Sequence, residues 1–210
     1  MRNFAIDGKS ISVFSAVQTE APIIYLNTFA NEGQRVFEVA QVVGCPPFSL
    51  VAISSLDWNL DMAPWDSPAA FKKGEPFTGG ADDYLRLLVE EIIQEAEKEL
   101  LGPPAWRGIT GYSLAGLFAL CAVYQTDVFS QVGCMSGSLW FPGFKEYVFF
   151  HDLRHTFATV ALQSGVDVKT VSAMLGHYDA GFTLRTYTHT NRRMQEKAAE
   201  KMGNFMAQVL

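Results

Sequence analysis

The stretch Trp106-Arg-Gly-Ile-Thr-Gly-Tyr-Ser-Leu-Ala-Gly-Leu-Phe-Ala-Leu120 combines a short apolar strand, a serine between small residues and a helix rich in alanine and leucine. A sharp strand-to-helix turn needs small neighbours, and Gly111 and Ala115 supply them around Ser113. The amide of Leu114 would then point toward the place where an oxyanion forms, at the positive end of the helix. The stretch therefore predicts a nucleophile elbow with Ser113 as the nucleophile.

Strand and helix patterns alternate around this elbow. Continuous apolar runs predict buried strands at 22–27, 49–54 and 131–136. Helical spacing predicts helices at 34–43 and 114–124, and an amphipathic helix that Asp82 caps. Asp7-Gly8 predicts a hairpin that precedes them. This alternation is typical of an α/β fold, a mostly parallel sheet with flanking helices. The long irregular stretch 56–80, which contains Trp58 and Trp65, is predicted to form a functional rim.

The composition indicates a globular protein, with 49% apolar and 18% charged residues. No apolar run approaches the roughly 20 residues of a membrane span, and Asp7 and Gly8 interrupt the N-terminal stretch before a signal peptide develops. We therefore expect a cytoplasmic protein without a membrane partner. The three cysteines lack metal-ligand spacing, so no metal site or cofactor is predicted.

Charge and histidine placement divide the chain into two segments. Residues 1–148 contain 9 Lys+Arg and 17 Asp+Glu, a balance of −8, whereas residues 149–210 contain 7 and 5, a balance of +2. All four histidines lie in the second segment and all three cysteines in the first. These differences favour two domains of different origin, 1–148 and 149–210, with a junction near residues 147–151.

The first segment contains four stretches that resemble the esterase-like branch of the α/β-hydrolase superfamily. They are Tyr25-Leu-Asn-Thr-Phe-Ala, Leu56-Asp-Trp-Asn-Leu-Asp-Met-Ala-Pro-Trp, Gly111-Tyr-Ser-Leu-Ala-Gly and Ser136-Gly-Ser-Leu-Trp-Phe-Pro-Gly-Phe. The resemblance covers residues 1 to about 148 and implies that Ser113 attacks the carbonyl of a small ester. The amide of Leu114 and that of Thr28 or Phe29 would hold the oxyanion.

The hydrolase pattern departs from the family after the elbow. In that superfamily an acid and then a histidine follow the serine, but residues 1–148 contain no histidine. Asp127 lies too early to be the expected acid, and a serine without its base is a poor nucleophile. This part of the chain is therefore expected to be a truncated α/β-hydrolase domain. Without its flanking context, Ser113 would be an ordinary serine in a glycine turn.

From about residue 150 the pattern changes to helices, predicted at 152–164, 168–175 and 192–208, with Asp167 as a cap and Gly165 as a stop. The sequence His151-Asp-Leu-Arg-His-Thr-Phe-Ala-Thr159, then Leu175-Gly-His177 and Thr186-Tyr-Thr-His189, resembles the C-terminal catalytic tail of tyrosine recombinases of the phage or transposon integrase type. The resemblance implies DNA as a partner and an all-α recombinase-like tail.

The recombinase resemblance assigns a role to four residues. Arg154 and His177 would donate to the non-bridging oxygens of a DNA phosphate, where charge builds up in the transition state. His151 lies one helical turn from Arg154 and could move a proton. Tyr187 would attack the phosphate and form a 3′-phosphotyrosyl link. Taken singly, a helical His/Arg pair is usually a surface feature and a tyrosine a packed aromatic.

The recombinase pattern is also incomplete. The family uses an earlier arginine and a lysine that cannot be assigned here by motif, and His155 and His189 are interpreted as structural. The predicted last helix carries an apolar stripe that would be a core face or a homo-oligomer contact, formed by Met194, Ala198, Met202, Phe205 and Val209.

Three functional hypotheses therefore remain: a partial recombinase, a serine ester hydrolase, and a chimera with no activity. The acyl substrate and the DNA target cannot be inferred from the sequence.

Overall fold

The computed structural model describes residues 1–70 and 74–175 of the chain. The chain divides into two units, the first from Met1 to Pro142 and the second from Gly143 onward. The sequence predicts two domains of different origin that meet between residues 148 and 149. This remains a prediction, because the boundary at Pro142 separates two compact units and says nothing about the evolutionary origin of each.

A six-stranded sheet is the centre of the first unit. Its strands, in chain order, are β1 Arg2–Ile6, β2 Lys9–Phe14, β3 Ile23–Asn27, β4 Ser49–Ser54, β7 Arg107–Tyr112 and β8 Gln131–Met135. Strands β5 Asp66–Ser67 and β6 Phe77–Thr78 form a separate hairpin. The spatial order is β1-β2-β4-β3-β7-β8. The four strands β4, β3, β7 and β8 run parallel to one another, and β1 and β2 add an antiparallel hairpin at one edge. The mostly parallel sheet that the sequence predicts is thereby confirmed.

The hairpin between β1 and β2 follows directly from its turn residues. Asp7 and Gly8 both have positive φ, at 45° and 73°. A two-residue turn with two left-handed positions matches the twist of the flanking strands, and Asp-Gly adopts it at low cost. The hairpin pairs Ile6 with Lys9, so β2 begins directly after the turn.

Burial of the central strands explains their continuous apolar runs. All six residues of β4 are buried, and Ile23 and Tyr25 of β3 have no exposed surface. A strand covered on both faces by helices needs apolar side chains at every position rather than at alternate ones. The Tyr25 hydroxyl finds a partner in the Glu97 carboxylate at 3.0 Å, and Arg107 binds the same carboxylate through two N–H groups at 2.6 and 2.7 Å.

Helices pack on this sheet where the sequence predicts them. The bounds are α1 Gly33–Val42 and α5 Leu114–Gln125. Eight residues of α5 are buried. Its alanine, glycine and leucine residues give it no polar face, and a helix that is apolar on all sides lies inside the protein.

A helical segment runs from Ala81 to Glu99, and its start differs from the prediction. It comprises α3 Ala81–Leu87, a π-helical turn Leu88–Ile92, α4 Ile93–Ala96 and a 3₁₀ turn Glu97–Glu99. The residue at the N-cap is Gly80, and Asp82 lies in the first turn, where its carboxylate accepts a hydrogen bond from Gln125. The π turn was not predicted, because the apolar residues of this segment recur at ordinary α-helical spacing.

The predicted irregular stretch after β4 contains one short helix, α2 Trp58–Asp61, and the small hairpin of β5 and β6. Asp57 caps α2, since its side chain accepts from the Leu60 N–H at 3.1 Å. Outside these elements, the described residues of the stretch are irregular, as expected.

The second unit contains α6 Phe144–Gln163 and α7 Val168–Leu175. The sequence predicted that the first of these helices begins at Asp152, and this is wrong by two turns: α6 begins directly after Gly143, which is left-handed with φ 85°. Nothing in residues 144–150 breaks a helix, so it starts at the first position that Pro142 and Gly143 allow.

The turn between α6 and α7 agrees with the prediction. Gly165 has φ 90°, and its N–H and that of Val166 bond to carbonyls of the last turn of α6. The Asp167 side chain accepts from the N–H of Thr170 at 2.9 Å, which caps α7. The two helices share a buried apolar cluster of Ala158, Leu162, Val171 and Leu175. The predicted third helix, 192–208, lies outside the described residues.

None of the helices within residues 1–70 and 74–175 combines the length and the apolar character needed to cross a membrane.

Candidate functional site

Ser113 lies in the turn between β7 and α5, with φ 56° and ψ −117°. A residue with a side chain rarely adopts this left-handed region, and holding it there costs roughly 1–3 kcal/mol. The surrounding hydrogen bonds fix the conformation: the Ser113 N–H donates to the Met135 carbonyl at 3.0 Å, and the Ser113 carbonyl accepts from Gly116 and Leu117 at 3.1 Å each. The strand, turn and helix predicted around Ser113 are therefore present.

The small residues on both sides of Ser113 are required by distance. A Cβ atom added to Gly111 would lie 2.5 Å from the Cβ of Ala115 and 2.6 Å from its backbone carbonyl. A Cβ on Gly116 would lie 3.0 Å from the Gly111 carbonyl oxygen and 3.2 Å from the Cα of Gly137. Strand, helix and the loop after β8 thus approach one another closely at the elbow, which explains the glycines in the sequence pattern.

The hydroxyl of Ser138 is the neighbour of the Ser113 hydroxyl, with 3.1 Å between the two Oγ atoms. The Ser138 N–H also donates to the Ser113 carbonyl at 3.0 Å, and Ser138 is only 3% exposed. Ser138 was not among the site residues predicted from the sequence. The sequence signal that could have identified Ser138 is its position in the loop after β8. The carboxyl ends of the neighbouring parallel strands β7 and β8 meet at one edge of the sheet, so residues that follow β8 lie near those that follow β7.

Both serines line a cavity of about 190 Å³. Part of its wall is aromatic, from Trp58, Phe77 and Trp140. The rest is contributed by Asn59, Ala70, Gly74, Glu75 and Leu114. The predicted rim therefore does reach the elbow, through Trp58 and the residues near Phe77. Trp65 instead donates its indole N–H to the Pro142 carbonyl at 2.7 Å and packs against Phe141.

The structure distinguishes between the candidate oxyanion donors. Leu114 is the first residue of α5, so its amide has no acceptor within the helix, and it lines the cavity. The Thr28 amide is already engaged, since it donates to the Ile53 carbonyl at 2.9 Å. The amide of Phe29, the other candidate for the second donor, remains a prediction. The Phe29 ring packs edge-on against Trp58, with 5.3 Å between the ring centroids.

A buried polar network lies at the end of β3, next to the loop of Thr28 and Phe29. Tyr84 donates its hydroxyl proton to the side-chain oxygen of Asn27, and Asp61 forms an ion pair with Lys9 at 2.7 Å. Burial, and then the negative charge of Asp61, raise the pKa of the Tyr84 hydroxyl well above its usual value, so it stays a hydrogen-bond donor. The network holds the last residue of β3 to α3, and thereby supports the candidate oxyanion loop.

The first unit lacks the usual base of a serine hydrolase, because residues 1–148 contain no histidine. Nor do the side chains within the described ranges form a group of three or more possible metal ligands. The described geometry around Ser113 is thus a strained elbow, a hydroxyl partner and backbone donors, without an imidazole from its own unit.

The candidate recombinase residues lie partly outside the described region. His151 and Arg154 both belong to α6, where their spacing is close to one helical turn. His177 and Tyr187 lie outside the described residues, as does His189. The helical spacing of His151 and Arg154 therefore agrees with the sequence pattern, and the full set of four remains a prediction.

A family comparison decides what the second segment is similar to. Residues 135–194 match the phage integrase family. The matched region begins at the last residue of β8 and includes all four candidate recombinase residues. A tyrosine recombinase XerC-like protein from Caldanaerobacter subterraneus subsp. tengcongensis is 40% identical over 55 residues, which is 26% of this chain and 14% of that protein.

The first segment has relatives of another kind. The uncharacterized protein YbbA of Bacillus subtilis is 24% identical over 151 residues, 69% of this chain and 60% of that protein. The solved structure of an IroE-like serine hydrolase from Shewanella oneidensis superposes with a TM-score of 0.57 at 23% identity, over 70% of this chain and 51% of that one. The chain thus spans less than two thirds of the length of these relatives.

Together the comparisons confirm the two resemblances. The first segment shares the fold of the serine hydrolase structure to which it is similar, and residues 135–194 are similar to the phage integrase family. The α/β fold class predicted from the sequence is confirmed.

Proposed function

We propose that this chain is a chimera that carries a partial tyrosine recombinase site on a truncated esterase-like α/β domain, with weak or no turnover in isolation. The observation that carries the proposal is the phage integrase match over residues 135–194, which contains His151, Arg154, His177 and Tyr187 in family order. The proposed partner is DNA and the proposed reaction class is DNA strand cleavage and rejoining, as in integration and recombination. A cytoplasmic location belongs to the same proposal.

The four residues divide the chemistry among them. The Tyr187 hydroxyl loses its proton as its oxygen attacks the phosphorus. The bond to the 5′ oxygen breaks, that oxygen takes up a proton to become a hydroxyl, and the 3′-phosphotyrosyl link preserves the bond energy for rejoining. Arg154 offers a planar pair of donors to the phosphate oxygens, and His177 adds another. His151 moves a proton. Its position one helical turn from Arg154 on α6 supports this division of roles.

Two features lower the expected activity. The family's earlier arginine and lysine would come from segments that here are replaced by the hydrolase-like fold. In addition, a tail with a balance of +2 is attached to a body with −8, whereas affinity for DNA rests on neutralising phosphates. We therefore expect at most a trace of cleavage.

A nicked suicide DNA duplex tests the chemistry, because cleavage traps the covalent link. We expect a faint protein–DNA adduct from the full chain that is absent in Tyr187→Phe and retained in Tyr178→Phe, a matched change nearby in the same tail. An adduct that survives Tyr187→Phe would contradict the assignment, and efficient multiple turnover would contradict the partial site. If neither the full chain nor any variant formed an adduct, the chimera would have no recombinase activity.

The chimeric origin has its own test. Genomic DNA read across the codons for residues 145–152 tests the fusion, together with a proteolytic peptide of the protein that spans this interval in a mass spectrum. The proposed chimera expects both to be continuous. A frameshift or assembly break in this interval would show that the joined chain does not exist in the cell.

The self-association proposed for the predicted last helix is tested separately. Met202→Asp with Phe205→Asp would shift a dimer to monomer in light scattering, and a monomeric parent chain would contradict the proposed contact.

A second candidate function, ester hydrolysis by Ser113, is favoured by one observation: the strained elbow places Ser113 in a cavity with the candidate oxyanion donor Leu114. The similar IroE-like protein from Shewanella oneidensis is named a serine hydrolase. An oxyanion hole without a full triad still accelerates acyl transfer by about 10³- to 10⁴-fold over water. A small activated ester is the proposed substrate.

Cleavage of p-nitrophenyl acetate tests this candidate. We expect slow release of nitrophenol that Ser113→Ala abolishes. Ser130→Ala, which removes an exposed hydroxyl just before β8, should leave the rate unchanged. Equal rates in the parent chain and in Ser113→Ala would show that the hydrolysis does not use the elbow.

A further inference from the structure

The loop that follows β8 has the same kind of strained backbone as the elbow. Ser136 has φ 46°, a left-handed conformation in a residue with a side chain. Next to it, a Cβ on Gly137 would lie 2.2 Å from the sulfur of Cys134, so only glycine fits. A loop that keeps two such constraints within two residues is held in its shape by its surroundings.

The consequence of this shape is the position of Ser138. The close approach of Gly137 to Gly116 brings the loop against the first turn of α5. Ser138 then contacts Ser113 twice, through its N–H to the carbonyl at 3.0 Å and through its hydroxyl to the hydroxyl at 3.1 Å. Two hydrogen bonds to one residue fix both the backbone and the side chain of that residue.

From this geometry we infer that Ser138 is a positioning residue for Ser113, with its hydroxyl donating to the Ser113 oxygen. The inference rests on the proposed nucleophilic role of Ser113. Ser138 holds the Ser113 oxygen toward the cavity that both residues line, and it stabilises negative charge on that oxygen as the nucleophile loses its proton. In a unit without a histidine, the Ser138 hydroxyl is a side-chain group within hydrogen-bond distance of the nucleophile.

Labelling by a fluorophosphonate tests nucleophilic attack by the Ser113 oxygen alone, because it does not require hydrolysis of a covalent intermediate. The bond from the Ser113 oxygen to phosphorus forms, the phosphorus–fluorine bond breaks, fluoride leaves with the electron pair, and the hydroxyl proton goes to water. The rate of labelling of the Ser113 peptide, followed by mass spectrometry, therefore reports how well this oxygen is positioned and activated.

We expect Ser138→Ala to lower the labelling rate about tenfold or more, since a hydrogen bond to a developing charge is lost. Ser138→Thr, which keeps the hydroxyl, should recover most of the rate. Ser130→Ala, a serine at the other end of β8, should leave it unchanged. Labelling of Ser138→Ala at the parent rate would overturn the positioning role, whereas a parent chain that is not labelled would overturn the nucleophilic role of Ser113.

A second measurement keeps the two outcomes separate. In a Ser113→Cys background, the pH dependence of alkylation of the new thiol gives its pKa. A donor at 138 stabilises the thiolate, so we expect adding Ser138→Ala to raise that pKa by about one unit. Adding Ser130→Ala should not change it. An unchanged pKa in Ser113→Cys with Ser138→Ala would overturn the donor assigned to Ser138, even if Ser113 itself is unreactive.

Discussion

At the scale of single residues, the first unit concentrates strain around one point. Ser113 and Ser136 both have positive φ, and the first turn of α5 meets the loop after β8 through Gly116 and Gly137. Backbone strain of this kind lowers the free energy of unfolding, and strained residues are concentrated at functional sites, where the strained geometry is part of the function. Here the strained residue is a half-buried serine that lines a cavity beside the Leu114 amide. The strain should therefore be measurable as a cost in stability.

Ser113→Gly should be more stable than Ser113→Ala by about 1 kcal/mol in the free energy of unfolding. Both substitutions remove the hydroxyl and leave Ser138 without its partner, but only glycine adopts φ 56° without a steric penalty. Urea denaturation of the two variants gives the difference directly. An alanine variant at least as stable as the glycine variant would contradict a strained elbow.

A buried thiol makes stability depend on alkaline pH. Burial, and then the charge of Asp82, raise the pKa of Cys121 from 9.0 to about 12. Because the folded pKa is raised, the contribution of the neutral thiol to stability is complete below about pH 9 and is lost as the pH rises toward about 12. In this window the unfolded chain releases a proton that the folded chain retains.

Cys121→Ala should therefore flatten the loss of stability with pH. Above about pH 9 the parent chain should lose up to about 1.4 kcal/mol per pH unit more than Cys121→Ala, measured by urea denaturation. Tyrosine contributions are common to both proteins and cancel. Cys45→Ala, at an exposed thiol, is the matched control and should follow the parent slope. Parallel pH profiles for the parent and Cys121→Ala would contradict the burial of this thiol in the folded state.

The sequence predicted individual residues best where one short stretch contains the whole determinant. Gly111, Ser113 and Ala115 define the elbow within one turn, so the pattern was sufficient. Ser138 lies 25 residues away and reaches Ser113 only because β8 pairs with β7. Similarly, the engagement of the Thr28 amide by Ile53 depends on the pairing of β3 with β4 and is not visible in a local pattern.

At the scale of elements, the helix α6 is the feature that the sequence and the structure describe differently. The motif that begins at His151 suggested a helix start near Asp152, whereas α6 runs without interruption from Phe144 to Gln163. The error came from treating a change in sequence character as a change in structure. Residues 144–150 contain no glycine or proline, so a helix can cross the proposed junction.

Phe149→Pro distinguishes a helix that starts at Phe144 from one that starts after position 149. In the interior of α6, proline removes a backbone hydrogen bond and clashes with the preceding turn, at a cost of about 3 kcal/mol. We expect the amides of α6 to exchange with deuterium roughly 100-fold faster in this variant. Phe149→Ala is the control and should stay close to the parent, because the side chain is 66% exposed. Equal exchange in the two variants would place the start of the helix after residue 149.

At the scale of the whole molecule, charge opposes the activity that the second segment suggests. The segment 149–210 has a balance of +2, but the complete chain has −6. DNA binding draws its affinity from the release of counterions by cationic groups, and a negative field around the protein raises the cost of approach. The effect acts over about one Debye length, roughly 10 Å at 0.1 M salt. At low salt, acidic side chains that do not contact DNA therefore still lower the affinity for it.

Exposed acids of the first unit should therefore tune DNA affinity through the field alone. Glu90 and Glu91 lie on the exposed side of the π turn, without a role in the elbow or the cavity. Replacing both by glutamine should tighten binding to a labelled duplex a few-fold at about 0.05 M salt and leave it unchanged at about 0.5 M, where the field is screened. Gln94→Glu, an exposed position on the next turn, is the opposite change and should weaken binding at low salt.

The signs of these two changes distinguish two causes of weak activity. If affinity rises with Glu90→Gln and Glu91→Gln and falls with Gln94→Glu at low salt, the acidic body limits an association that the cationic tail makes. If neither change has an effect at low salt, the charge of the first unit does not act on the segment proposed to bind DNA, and the weak activity proposed for the chimera is assigned to its incomplete set of catalytic groups.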